Sequence, residues 1–207
     1  MTTKQAALVA EIKQMESLLD LDYRKDPADF TPWRSMQTSI QALRLKTIKD
    51  KLVRIAVVHA YVKIDEHLGT VMAWDLFGNK KSFPQLWGTR KFKAFNYCIL
   101  ERLYLLQKLD WVDYLHELPR KIKSDIRAVN DLRNAMAHTF FVENRRTRPM
   151  WKGKDIFTVG GLSQFHTDTG AIYDYFLERF WGAKITRTAA VARQVSAGSG
   201  ASLGVCT

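Results

Sequence analysis

The segment IRAVNDLRNAMAHTFF, residues 126–141, decides the fold class. Wound at about 100° per residue, it places Ile126, Val129, Leu132, Met136 and Phe140 on one apolar stripe. Beside that stripe run Asn130, Asn134 and His138, spaced by four, with Arg127 close to the same line. An ordinary solvated face would carry Lys and Glu, so three uncharged or switchable polar side chains in register set this face apart. Arg133 falls among the apolar positions, near Ile126, Ala137 and Phe140, where a guanidinium must snorkel, pair or sit at an interface. Ala135 and Ala137 keep the surroundings small, which admits the close approach of another helix or a ligand.

Working outward, Pro119 opens this helix, which the pattern carries to about Phe140. Residues 4–20 have Leu8, Ile12, Met15, Leu18 and Leu19 at helical spacing. Thr31 followed by Pro32 reads as a helix start, and from there to Phe77 the chain has no proline and only Gly69. That stretch predicts one long helix, or two with a break near 46–50. Residues 78–89 form a loop, 91–108 a third apolar helix, and 111–117 a short helical turn. After the basic loop at 144–149, residues 150–159 alternate loosely around Gly153 and predict a small hairpin. A last amphipathic helix spans 168–181 with Ile172, Tyr175, Phe176 and Phe180 on one side. The Ala, Ser, Gly and Arg of 183–207 predict a disordered tail.

The chain is therefore expected to be all-α, with an N-terminal helical extension (1–50), a helical domain (51–182) and the tail (183–207). Six Trp and eleven Phe give it the bulk for a core, which a disordered chain lacks. A formal charge of +11 points to a polyanionic partner, RNA, DNA or an acidic surface, and is silent on fold. No run of apolar residues is long enough to span a membrane, and the first twenty residues read as an amphipathic helix, not a signal peptide. Cys98 and Cys206 stand far apart without zinc-ligand spacing, which fits a reducing, cytoplasmic setting.

The run Arg133-Asn134-Ala135-Met136-Ala137-His138 resembles the signature of the HEPN superfamily, an Arg separated from a His by four to six residues, with Asn after the Arg in many ribonuclease members. Residues 52–76, the helix around 103–108 and the approach Asn130-Asp131-Leu132 resemble the antiparallel helices of that fold, over roughly 50–182. The resemblance implies a HEPN-type bundle and a metal-independent endoribonuclease in defence, abortive infection or a toxin-like role. It assigns catalysis to Arg133, Asn134 and His138, and it implies a homodimer in which two Arg–His sets face one cleft. An antitoxin or defence-system protein is the partner such a role implies. One departure is Phe140, which stands where HEPN toxins neutralised by a nucleotidyltransferase carry a Tyr, so modification there is excluded.

The chemistry asks little of the protein, because RNA carries its own nucleophile in the 2′-OH beside the scissile phosphate. A histidine moves a proton near neutral pH, and an arginine forks onto phosphate oxygens as charge builds there. Arg127 and Asn130 on the polar stripe, with Arg145, Arg146 and Arg148 in the basic loop, are candidates to grip the RNA, though a charge run is also an ordinary solvated surface. Trp151 and Phe157 could stack bases or pack in the core, and packing is the commoner use.

Two other constellations are set aside. Arg54 and His59 repeat the Arg–His spacing without the Asn and with bulky residues between, so His59 reads as a core or helix-face residue. His59, Lys63 and His67 share a helical face near Glu66, but two histidines eight residues apart cannot hold a metal without further ligands. No metal or cofactor is expected. The alternative to an enzyme is a catalytically silent HEPN module that binds RNA or nucleotides or mediates assembly.

Overall fold

The computed structural model describes residues 2–19, 38–77, 89–137 and 148–182. The chain divides into two compact units, Met1–Tyr173 and Asp174–Thr207. The predicted helix start at Thr31, the loop at 78–88, His138, Phe140, Arg145, Arg146 and the tail lie outside the described residues.

In the first unit the apolar run after residue 38 forms α2 (Thr38–Phe77), one helix with no break at 46–50. At ~1.5 Å per residue it is about 60 Å long. Leu52, Val53, Val57, Ile64, Leu68 and Met72 are fully buried along it, and three further helices pack against it: α1 (Thr3–Leu19), α4 (Leu105–His116) and α5 (Arg120–Ala137). Ile12 and Met15 of α1 are buried, and Lys49 of α2 donates to Glu11 at 2.7 Å. Residue 50, the sequence-based domain boundary, thus lies inside α2.

The stretch 91–108 is not one helix. It forms α3 (Arg90–Cys98), a 3-10 turn (Leu100–Arg102) and then α4. The break is made by local hydrogen bonds. Leu103 is extended (ψ 130°), and the Tyr104 N–H is taken by Gln107 Oε1 at 2.8 Å, half of a capping box that starts α4. At its other end α4 stops at Glu117, a left-handed residue. There the Asp113 carboxylate accepts from Leu118 N and Lys123 Nζ, and the Lys123 hydrogen bond holds its pKa below the usual carboxylate value. The short connection lets α5 pack back on α4 and α2.

The hairpin forms as two-residue strands β1 (Met150–Trp151) and β2 (Lys154–Asp155), antiparallel. Lys152 and Gly153 both have positive φ, as a tight two-residue turn requires. The next helix, α6 (Val159–Phe176), begins nine residues earlier than expected. Thr158 Oγ1 accepts from Gly161 N at 3.1 Å, and a Cβ on Gly161 would stand 2.0 Å from the Asp155 carbonyl, so only glycine lets α6 start this close to the hairpin.

Trp151 and Phe157 are buried, Trp151 edge-on to Phe165 at 5.0 Å, so neither ring is available to stack on a base. Asp125 of α5 and Asp168 of α6 are also buried, and Lys152 bridges them at 2.7 and 3.0 Å. Trp151 Nε1 donates to the same Asp168 oxygen at 2.9 Å. Burial pulls the Lys152 ammonium down, but the two carboxylates outweigh it and leave it above its usual value.

In the second unit, the helix widens into a π-helical turn (Leu177–Trp181), and Phe176 just before it stacks on Phe180 at 5.6 Å. Gly182, with φ 67°, ends it as a left-handed cap. Among the described residues no helix is long and apolar enough to cross a membrane.

Candidate functional site

The last two turns of α5 present Arg133 and Asn134 to solvent. Of the outcomes expected for a guanidinium among the apolar positions, the structure shows an exposed one. Ile126, Val129, Leu132 and Met136 are buried, while Arg133 at the stripe's edge is exposed. Its guanidinium lies over the Tyr61 ring, 5.1 Å from the centroid, and Nη1 donates to Asn134 Oδ1 at 3.1 Å. A half-buried aromatic on α2 thus supports the guanidinium within this chain. Ala135 is half-buried and Ala137 exposed, and both are small.

Other arginines in the region are engaged with carboxylates. Arg127 is exposed and pairs with Asp110 at 2.7 Å, and Arg148 pairs with Asp155 at 2.9 Å, within the hairpin region. Exposed pairs of this kind are worth at most about 1 kcal/mol and can exchange for phosphate. Among the described residues, Arg133 meets no carboxylate. Asn130 is half-buried one turn before Asn134, so Arg127, Asn130 and Asn134 do share a stripe.

Arg54, first noted for its spacing to His59, has a structural task. It pairs with Asp50 on its own helix, and Nη1 donates to the Met136 carbonyl at 2.6 Å, satisfying an orphan acceptor in the last turn of α5. It thereby fixes the end of the helix that leads into His138. His59 is exposed on the helix face. Sequence reasoning missed Tyr61 and the Arg54 contact. The only available signal was that Arg54 and Tyr61, seven residues apart, lie on one face of α2.

A second titratable cluster joins α2 and α6. Lys63 Nζ lies 4.8 Å from the centroid of Tyr173, and the His67 ring lies 5.9 Å from the same residue. Burial, then the Lys63 charge, lowers the pKa values of His67 and His166 below the usual imidazole value, and burial pushes that of the Tyr173 phenol up to about 12. Both imidazoles bind protons less well in the folded chain than in the unfolded one. Stability is therefore full above about pH 6.5 and falls as pH drops through the window below it. Melting temperature measured between pH 7 and pH 5.5 should decline, and the double variant His67→Gln, His166→Gln should decline less. An unchanged slope would remove these two residues as the cause.

Among the described residues no three His, Cys, Asp or Glu side chains gather as metal ligands. No family model matches the chain, and neither do any of the curated proteins or solved structures with which it was compared.

Proposed function

We propose that this chain is an endoribonuclease of HEPN type that needs no metal, with Arg133 as the phosphate-binding cation and His138 as the proton-transfer group. The observation that carries the reading is the state of Arg133: an exposed guanidinium at a helix end, propped on Tyr61, with no carboxylate partner among the described residues. A guanidinium so placed is ready for an anion, and a bidentate grip on phosphate oxygens is the contact its geometry favours. Asn134 holds it from the side and offers its amide to the same ligand. The formal charge of +11 supplies long-range attraction for RNA.

In this mechanism the substrate's 2′-OH attacks the neighbouring phosphorus, His138 moves the proton, and Arg133 meets the charge on the phosphorane. The P–O5′ bond breaks, leaving a 2′,3′-cyclic phosphate and a 5′-OH. The resemblance implies two facing chains, each presenting its Arg133 and His138 to one cleft. A toxin-like or defence role, with an antitoxin or defence partner in the cytoplasm, belongs to the same reading.

Incubation of purified protein with labelled RNA is expected to yield cyclic-phosphate ends at equal rates with and without EDTA. RNA with a 2′-deoxy nucleotide at the cut site should resist. Activity that disappears on chelation and returns with a divalent ion would overturn the mechanism. Salt-sensitive RNA binding without cleavage would leave the silent binding module, which the net charge also favours.

A further inference from the structure

The Tyr61 ring that carries Arg133 also forms one wall of a groove of about 620 Å³ between α2 and the 3-10 turn that precedes α4. That size is within the range of small-molecule sites, roughly 300–1,000 Å³. The groove is unlike the rest of this basic chain. Tyr61 and the 77% exposed Tyr104 give it aromatic surface over a floor that includes the buried Phe92, while Asp65, Glu66 and Glu101 give it carboxylates. Its one ammonium, the buried Lys108 Nζ, donates to Asp65 Oδ2 at 2.6 Å.

Such a lining repels a phosphate but suits a base. Aromatic rings supply stacking faces, and carboxylates are acceptors only, so they select base edges rich in donors. Two of the three carboxylates are already engaged among the described residues: Asp65 with Lys108, and Glu101 with the Asn96 amide at 2.8 Å. Glu66 is exposed and is the one left to read a ligand. Guanine alone among the RNA bases sets two N–H donors, N1–H and N2–H, side by side to match one carboxylate. An organic cation is the rival occupant that these carboxylates also admit, and the spermidine arm of the test distinguishes it from a base.

We propose that this groove takes a guanine base of the RNA, read by Glu66, beside the phosphate held by Arg133. The inference rests on reading Arg133 as a phosphate contact, and it gives the nuclease a base preference. It is tested by binding, without cleavage. The full-length protein is titrated by calorimetry with GMP, AMP, CMP and UMP, none of which contains a bond to cut. GMP is expected to bind about tenfold tighter than AMP, the discrimination a bidentate base contact gives. Glu66→Gln should erase that preference, and Arg133→Ala should weaken all four nucleotides alike while keeping it. Tyr104→Ala should weaken GMP and AMP together. Unchanged melting temperatures identify these as site effects, since Glu66, Arg133 and Tyr104 are all exposed. Equal binding of GMP and AMP overturns the proposal. So does a preference that survives Glu66→Gln, or spermidine binding that Glu66→Gln abolishes while GMP shows none. Because cleavage is never read, failure of the nuclease mechanism and failure of the guanine groove show up in separate assays.

Discussion

Arg133→Ala is expected to slow RNA cleavage by about 10²–10³-fold, the usual cost of removing a group that meets transition-state charge. Arg133 is exposed and its contacts are a ring face and a neighbouring amide, so the fold should survive the change. Arg133→Lys should recover little, because an ammonium cannot fork onto two phosphate oxygens as a guanidinium does. His138→Ala should cost about 10²–10⁴-fold, the range for a positioned proton-transfer group. His59→Ala, on the exposed face of α2, should leave the rate unchanged. The measurement is single-turnover cleavage of a labelled RNA, with circular dichroism confirming the fold of each variant. Near-wild-type rates for Arg133→Ala or His138→Ala would end the assignment.

The largest effect on stability is expected at Lys152. Its ammonium neutralises Asp125 and Asp168, which are only 3% and 8% exposed, and Lys152→Ala would leave both carboxylates buried and uncompensated. Breaking a buried pair costs about 3–5 kcal/mol. The Lys152 side chain is 38% exposed, and Lys121 at 3.1 Å still reaches Asp125, so solvent and a second ammonium reduce this to about 2–3 kcal/mol. For a chain of this size the melting temperature should fall by roughly 4–12 °C. Lys152→Gly separates charge from backbone. Glycine relaxes the positive φ of 46° at this position but still removes the ammonium, so it too should destabilise. A glycine variant as stable as wild type would mean that backbone conformation, not charge, governs the turn.

The long helices were legible because their apolar residues repeat over many turns. The central helix and the buried stripe of α5 follow directly from that repeat. Failures occurred where one hydrogen bond or one steric contact overrides the pattern. Phe92, Phe95, Ile99, Leu103 and Leu106 keep helical spacing straight through the break at Leu103, yet Ile99 is 42% exposed and the Tyr104 capping box restarts the helix. The last helix is expected only from 168, yet it starts at Val159, where Gly161 lets two backbones meet. Periodicity located Arg133 near the apolar stripe and could not say which side chain of its own chain would receive it. That answer depended on Tyr61, more than seventy residues earlier in sequence.

Tyr61 sits mid-way along a single uninterrupted helix, with the Arg133 guanidinium over its ring and the groove at its side. The same residue therefore borders two neighbours. If base and phosphate bind as proposed, both meet Tyr61, and Tyr61→Ala would disturb the support of the guanidinium and the wall of the groove at once.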